Sequence, residues 1–305
     1  MHVFVTGGTG HIGSYVIPEL IAAGHEVTGL ARSDEAAAAI EAAGGTVQRG
    51  TLDDLDILRQ AAGDADGVIH LAFKHDWMAS GDFDGAVAAD LQAISAMGEA
   101  LIGSDKPFVT TSGTLMLTFG GVTGRPGTEE DVLPSGPRVD AENHVVALSG
   151  QGVRSSVVRL PPTVHSYLDL HGFVPTLIGF ARNTGVAGYV GDGANRWPAV
   201  HTLDAARVYR LALESGPAGR RYHAVSDEGV PFRQIAEAIG RNLGMPTVSI
   251  EEDQMDQQFG FLTRFVGADN PTASTATRAT LGWEPSHPLL IADMDEGHYF
   301  EPAVV

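Results

Sequence analysis

The feature that most constrains the fold is a glycine-rich segment near the N-terminus. An apolar run at residues 2–6 predicts a buried strand, and the chain continues as Thr6-Gly7-Gly8-Thr9-Gly10-His11-Ile12-Gly13 before a helical pattern. In such a turn, glycines permit the tight bend, the close approach of the backbone to a pyrophosphate and the close packing of helix on strand. The following helix N-terminus offers free N–H groups to phosphate oxygens. The segment therefore predicts a binding pocket for the pyrophosphate of a dinucleotide.

Strand-like and helix-like stretches alternate through the first half of the chain. Predicted strands cover 2–6, 26–31, 46–48, 67–72, 108–111 and 155–160, and predicted helices cover 12–23, 35–43, 55–62 and 83–103. Strands that are apolar on both faces and alternate with helices are typical of a parallel sheet covered on both sides. We therefore predict an α/β fold, with a Rossmann-type doubly wound sheet in residues 1–160.

The pattern changes after Pro161 and Pro162, where glycine, proline and histidine become frequent. The alternation is irregular up to about Pro198 and is followed by a predicted helix at 203–214, a strand at 222–225 and an amphipathic helix at 232–243. We expect residues 161–305 to form mainly a smaller substrate-binding lobe, with some segments packing back on the sheet.

The choice of dinucleotide depends on the end of the second strand, which reads Gly29-Leu30-Ala31-Arg32-Ser33. NAD-selective sites usually carry an acid there, whereas an arginine suits a 2′-phosphate. Arg32 and Ser33 therefore favour NADP(H) over NAD(H). Two alternatives stay open: Arg32 is a solvated loop residue, or Asp34 serves a ribose.

The composition limits the possible partners. A net charge of −19 argues against nucleic acid and anionic membranes, and the lack of cysteine excludes disulfides and thiolate metal sites. The sequence contains neither a His-Glu-x-x-His nor an EF-hand pattern, so we expect no metal site. With no run of 18 apolar residues, a cytoplasmic protein with a small-molecule substrate is expected.

Three stretches resemble the extended short-chain dehydrogenase/reductase superfamily, which includes NAD-dependent epimerases and dehydratases. They are the glycine segment, Val68-Ile69-His70-Leu71-Ala72 and Thr110-Thr111-Ser112-Gly113, and the resemblance continues to Leu281-Gly282-Trp283. It implies that Thr51 and Leu52 flank the adenine, although such proteins usually carry an aspartate at the position of Thr51. The other cofactor contacts that it implies are Thr6, Gly7, Thr9, Gly10, His11, Ile12, Gly13, Leu71, Ala72, Phe73 and Pro161.

The chain departs from this superfamily at the catalytic pattern. Its members usually combine a serine or threonine after the fifth strand with a Tyr-x-x-x-Lys pair, in which the lysine lowers the pKa of the tyrosine. Ser112 matches the first element, but the two lysines, Lys74 and Lys106, do not follow a tyrosine at that spacing. The matching position reads Arg138-Val139-Asp140-Ala141-Glu142.

Three explanations of this departure stay open. Another residue supplies the proton while Ser112 or Thr111 polarises a carbonyl; or the substrate, such as an iminium or a conjugated acceptor, needs little protonation; or the protein binds NADP(H) without chemistry. The candidate proton donors are His75, Tyr167, His165 and His171.

Arg138 and Glu142 also have two interpretations. They form a surface ion pair at i and i+4, or they face the nicotinamide and Arg138 holds a substrate carboxylate or phosphate. The glycine-rich loop at 188–198 similarly either holds substrate or shapes the pocket wall.

The sequence therefore predicts an NADP(H)-dependent oxidoreductase that transfers hydride to or from a small carbonyl, imine or alcohol. The alternatives are sugar-nucleotide epimerase or dehydratase chemistry and a non-catalytic NADP(H)-binding redox sensor. The helix at 83–103 and the one after Arg138 resemble helices that pair across a two-fold axis in relatives, which predicts a homodimer. An apolar stripe on the first helix (Leu91, Ile94, Met97, Leu101) belongs either to that interface or to the core.

Overall fold

A computed structural model describes residues 1–79 and 81–301 of the chain. Its strands are β1 His2–Thr6, β2 Glu26–Ala31, β3 Thr46–Arg49, β4 Gly67–His70, β5 Pro107–Gly113, β6 Arg154–Leu160, β7 Thr163–His165, β8 Ala187–Val190, β9 Arg196–His201, β10 Arg220–His223, β11 Asp227–Pro231 and β12 Thr247–Ile250. Its α-helices are α1 Gly13–Ala22, α2 Asp34–Ala42, α3 Leu55–Asp64, α4 His75–Ala79, α5 Phe83–Leu101, α6 Leu115–Phe119, α7 Val139–Leu148, α8 Phe173–Thr184, α9 Thr202–Ser215, α10 Phe232–Leu243, α11 Met255–Phe259, α12 Thr263–Val266, α13 Thr275–Leu281 and α14 Leu290–Asp295.

The centre of the molecule is a seven-stranded parallel sheet in the order β10-β6-β5-β4-β1-β2-β3. The direction of the strand order reverses between β1 and β4, and a crevice at the carboxyl ends of the strands forms at such a point. The predicted α/β fold with a doubly wound parallel sheet is confirmed.

Alternation along each strand explains why helices cover both faces of the sheet. Val3 and Val5 belong to a core with α1 and α9, whereas Phe4 belongs to a core with α3, α5 and α7. Successive side chains of a strand point to opposite faces, so a strand that is apolar at every position needs a helical layer on each side.

Helix α5 settles the position of the apolar stripe. Ile94, Met97 and Leu101 are buried in the core between α5 and the sheet, and Leu91 packs against the same core. Ile94, Met97 and Leu101 are therefore core, and Leu91 is half-buried at its edge.

The second half is more regular than the sequence pattern indicated. Strand β7, helix α8 and strand β8 lie within 161–198, where the sequence pattern is irregular, and β9 begins there. The pattern does not reveal α8 because Pro175 and Gly179 interrupt its apolar period, while its buried positions, including Val174 and Ile178, pack in one core with Trp197 and Phe232.

Two small sheets accompany the central one. Strand β9 pairs with β7 and β11, and β8 pairs in parallel with β12. The strand expected at 222–225 spans 220–223 instead and joins the central sheet beside β6. Within the described ranges, no helix combines the length and apolarity that a membrane crossing requires.

Candidate active site

The turn between β1 and α1 has the geometry that glycine permits. Gly7 has a φ of +71°, and a Cβ there would lie 2.6 Å from the backbone nitrogen of Ala72. A Cβ on Gly13 would lie 2.1 Å from the carbonyl oxygen of Gly7. Helix α1 starts at Gly13 after Ile12, whose apolar side chain cannot cap it. The N–H groups of Ser14 and Tyr15 donate to the Gly10 and Ile12 carbonyls, so among the described residues the Gly13 N–H is the first-turn group without a backbone acceptor and can meet a phosphate.

Buried polar side chains fix this turn to the next strand of the sheet. Thr6 Oγ1 is hydrogen-bonded to His70 Nδ1 at 2.7 Å and accepts the Ala72 N–H at 3.3 Å. The other ring nitrogen of His70 is 3.1 Å from a carboxylate oxygen of Asp90 on α5. Sequence reasoning missed Asp90, although a lone acid within the apolar stretch of α5 was a signal.

The residues predicted to bind the adenosine lie beyond β2 and β3. Arg32 follows β2 with 74% of its side chain exposed, and its Nη1 is 3.4 Å from Asp76 Oδ2. Ser33 caps α2 by accepting the Ala36 N–H at 3.1 Å. Thr51 is exposed and donates from its backbone N–H and hydroxyl to Asp54, whereas Leu52 is buried.

The remaining predicted cofactor residues lie along the same crevice. Thr9 and Gly10 are exposed, Leu71, Ala72 and Phe73 are half-buried after β4, and Pro161 is buried after β6.

Thr111 and Ser112 lie next to the end of β5. Because they are consecutive in a strand, they point to opposite faces of the sheet. The Thr111 hydroxyl donates to the His70 carbonyl at 2.9 Å and is 2.8 Å from the hydroxyl of Tyr209 on α9. Ser112 is 5% exposed, and its hydroxyl has no hydrogen-bond partner within residues 1–79 and 81–301. Of the two, only Ser112 has a hydroxyl that is not already engaged by the protein.

Arg138 occupies the position where a tyrosine was expected, immediately before α7, with a left-handed φ of +63°. Its Nη2 donates to the Thr111 carbonyl at 2.8 Å and lies 3.8 Å from Asp90 Oδ2. Its guanidinium carbon lies 4.2 Å from the centre of the Phe73 ring. The guanidinium is therefore fixed at the carboxyl ends of β4 and β5.

Glu142 lies on α7, and its buried carboxylate contacts β6 and β10. Its carboxylate accepts from Arg159 on β6 at 2.5 and 3.0 Å and from Arg221 on β10 at 2.6 Å. These two guanidinium groups lower the pKa of the Glu142 carboxyl against the opposing effect of burial, which is the largest single influence. The surface ion pair between Arg138 and Glu142 is wrong, and so is the expectation that Glu142 faces the cofactor, because the carboxylate is held by arginines distant in sequence.

The candidate proton donors are spread over different environments. The His75 ring lies 5.2 Å from the Phe73 ring, and its pKa is lowered by loss of water around the ring and by the charge of Arg138. Tyr167 is 63% exposed, with its ring edge-on to Tyr15. His171 is exposed.

His165 lies in the interior, paired with a carboxylate. It is fully buried, and its Nδ1 is 2.7 Å from Asp293 Oδ2. Within the described part of the chain, Asp293, Glu296 and His298 bring metal-ligating atoms within 4.8 Å of one another, a grouping that sequence spacing did not indicate. Acidic groups often lie together without an ion, and Asp293 is already engaged by His165.

His11 connects the glycine turn to the second half of the chain. Its Nε2 is 2.7 Å from Thr202 Oγ1, and its Nδ1 lies 3.8 Å from Asp169. Burial, followed by the charges of His165 and His201, lowers the pKa of His11 to about 4, and burial raises the pKa of Asp169 to about 6. Asp169 was not singled out in the sequence, since no motif marks it.

The loop at 188–198 packs against residues 266–270. Asn195 donates to the Val266 and Ala268 carbonyls, and Arg196 forms a bidentate ion pair with Asp269. Trp197 is buried. These contacts favour the interpretation in which this loop shapes the pocket wall.

Residues 3–225 match the model of the NAD dependent epimerase/dehydratase family. The chain is 46% identical over 302 residues to an uncharacterized protein of Schizosaccharomyces pombe, and the alignment covers 98% of this chain and 100% of the relative. It is 27% identical over 256 residues to a 4-hydroxy-2-methyl-3-oxo-4-farnesyl-3,4-dihydroquinoline-1-oxide ketoreductase of Stigmatella aurantiaca, with 80% of this chain and 74% of the relative covered.

A solved structure shows the same fold at low identity. The UDP-glucose 4-epimerase of Thermotoga maritima superposes with a TM-score of 0.78 at 19% identity, covering 98% of each chain. The family match extends over more than half of the chain. The chain therefore belongs to the NAD dependent epimerase/dehydratase family.

Proposed function

We propose that this protein is an NADP(H)-dependent oxidoreductase acting on a small carbonyl, imine or alcohol. The nicotinamide would supply or accept the hydride when the cofactor is bound. The turn at Gly7–Gly13 and the N-terminus of α1 bind the pyrophosphate, and Arg32 binds the 2′-phosphate. The 27% identity to a ketoreductase supports a reductase over an epimerase.

The observation that carries the proposal is the hydroxyl of Ser112. It is buried at the carboxyl end of β5, beside the crevice, and no described residue satisfies it. A buried polar group without a partner costs free energy that a bound ligand can recover. A carbonyl oxygen of the substrate is a suitable acceptor, and a hydrogen bond from Ser112 would orient it and stabilise the negative charge that develops on it.

We assign the proton transfer to His75. Its ring contacts Phe73, and the guanidinium of Arg138 lies against the same Phe73 ring. These three side chains therefore share one side of the crevice. Because its pKa lies below the usual range, His75 is neutral near pH 7, and a neutral imidazole accepts a proton from an alcohol during oxidation. In the reductive direction the imidazolium returns that proton to the reduced oxygen or nitrogen.

A screen of ketones, aldehydes and imines with NADPH tests the proposal. Ser112→Ala should lower kcat by roughly 10²–10³-fold, as expected for losing one donor to a developing oxyanion, and leave the Kd of NADPH unchanged. Ser155→Ala is the matched control, because Ser155 is also a buried serine without a described partner but lies at the amino end of β6. Its activity should equal that of the parent protein.

Two results would overturn the proposal. Tight NADPH binding without turnover of any substrate would identify a cofactor sensor instead of an enzyme. Turnover that is unaffected by Ser112→Ala would remove Ser112 from the reaction.

A further inference from the structure

Residues 73–77 form a crossing segment: they follow β4, include the start of α4, and run from a ring beside Arg138 to a carboxylate beside Arg32. At one end the Phe73 ring supports the guanidinium of Arg138. At the other, Lys74 Nζ donates to both carboxylate oxygens of Asp53 at 2.7 and 2.8 Å and lies 3.6 Å from the centre of the Trp77 ring. The Lys74 side chain is only 11% exposed. This crossing segment is therefore anchored to the loop that follows β3.

The anchored segment presents one carboxylate to Arg32. Asp76 Oδ1 accepts the Trp77 N–H at 3.2 Å, and Asp76 Oδ2 faces Arg32 Nη1 at 3.4 Å. The guanidinium attracts the Asp76 carboxylate, and together with the backbone hydrogen bond it lowers the pKa of that carboxyl. Asp76 is thus ionised at neutral pH and directed at Arg32.

Arg32 differs from the other cations at this end of the crevice. Lys74 is bound by Asp53, and Arg49 by Asp34, both through short hydrogen bonds. The contact of Arg32 is longer, and both of its members are largely exposed, with 74% and 59% of the side chains accessible. An exposed pair of this kind is worth little to stability and is readily exchanged for a stronger anion.

We propose that Asp76 is a specificity-determining residue that competes with the 2′-phosphate of the cofactor for Arg32. The inference rests on the proposed function, in which Arg32 binds that phosphate. A phosphate that reaches Arg32 must displace the Asp76 carboxylate and then remain near its negative charge. The ribose hydroxyl of NADH carries no charge and can donate a hydrogen bond to the same carboxylate. Asp76 thereby lowers the preference of the pocket for NADPH over NADH.

The test measures the Kd of NADPH and of NADH by nucleotide fluorescence at low ionic strength. Asp76→Asn keeps the shape of the side chain and removes its charge. The Kd of NADPH should fall about three- to tenfold, as expected for removing one partly screened like charge, while the Kd of NADH stays equal or rises. Competition by 2′,5′-ADP against 5′-AMP should show the same difference without the nicotinamide. The increase in NADPH affinity should be smaller in 0.5 M salt, because salt screens the interaction between exposed charges.

Asp295→Asn is the matched control, since Asp295 forms a similarly exposed ion pair with Arg241 of α10. It should leave both Kd values unchanged. Arg32→Ala and the double variant complete the cycle: in the absence of Arg32, the change Asp76→Asn should lose most of its effect on NADPH.

The outcomes separate this inference from the proposed function. If Arg32→Ala weakens NADPH selectively but Asp76→Asn does not tighten it, the inference is overturned and the NADP(H) assignment stands. If Asp76→Asn acts equally on NADPH and NADH, or keeps its full effect without Arg32, the inference is also overturned. If Arg32→Ala weakens both cofactors equally, the assignment of the 2′-phosphate to Arg32 fails first, and the inference fails with it.

Discussion

The two ends of the crevice are built by different means. The end proposed for the pyrophosphate depends on backbone, because Gly7 and Gly13 leave no room for a Cβ at the start of α1. The proposed reaction end depends on side chains: Arg138 lies there in place of the usual tyrosine, whereas Glu142, in place of the usual lysine, is turned to Arg159 and Arg221.

This difference shows which part of such a site can change while the fold persists. A side chain in the glycine turn collides with main-chain atoms that cannot move without displacing β1 or β4. A substituted side chain on α7 needs only a new hydrogen-bonding partner to be accommodated. Glu142 has such partners in Arg159 and Arg221, so the position that would hold a catalytic lysine has become part of the connection between α7 and the sheet.

The largest effect is expected from Glu142→Lys, which restores the residue type of the superfamily pattern. The change replaces a buried carboxylate with a cation beside two arginines, and it should lower the free energy of unfolding by about 3–5 kcal/mol or more, as for a broken buried ion pair. Urea unfolding measures it. Glu130→Lys, at an exposed glutamate 3.6 Å from Arg220, is the control and should change stability by less than about 1 kcal/mol.

If Glu142→Lys were as stable as the parent protein and gained activity, position 142 would still belong to the reaction site. The contrast between the two ends of the crevice would then be incorrect.

A smaller effect is expected at the pyrophosphate end from Gly7→Ala. The left-handed conformation alone costs an alanine about 1–2 kcal/mol, and the collision with the backbone of Ala72 adds to it. The Kd values of NADPH and NADH should both rise at least about tenfold, because both share the pyrophosphate. Gly63→Ala is the control, since a Cβ on this residue of α3 meets nothing within 4 Å. Unchanged cofactor affinity in Gly7→Ala would show that the turn does not receive the pyrophosphate.

The last effect concerns pH. Burial lowers the pKa of His11, in the glycine turn, of His201, at the end of β9, and of His223, beside Arg159, to about 4 each. Between about pH 6.5 and pH 4 the unfolded chain binds more protons at these histidines than the folded chain, so stability falls as the pH falls through this range. Asp169, whose pKa is raised to about 6, opposes this, because below pH 6 the folded chain binds the extra proton.

We expect a net loss of stability between pH 7 and pH 4.5, measured by urea midpoints. His11→Gln should flatten the decline and Asp169→Asn should steepen it. Replacing the exposed His171 with asparagine is the control for a change in histidine number. A pH profile that is identical in His11→Gln would show that His11 does not titrate with folding.

The fold was largely predictable because its signals are local. The bounds of β1, β2 and α10 agree with the sequence prediction, since apolar runs and a 3.6-residue period determine them without reference to distant residues. The glycine turn was predictable for the same reason: one short segment contains the strand end, the glycines and the helix start.

The reaction end was less predictable because its contacts join residues that are far apart in sequence. Glu142 meets Arg221 across 79 positions, and Thr6 meets His70 across 64. The left-handed φ of Arg138 turns its guanidinium towards β5, and a residue other than glycine rarely adopts that conformation. No periodicity in the sequence indicates either kind of feature.

The seventh strand of the central sheet, β10, enters it only after the chain has already built part of the second half. A chain cut after residue 160 would leave β6 as an open edge with unpaired N–H and C=O groups, which invites edge-to-edge aggregation. The two halves therefore share one sheet and cannot be exchanged between relatives as independent domains. A change of substrate preference has to arise by replacing residues within one continuous architecture.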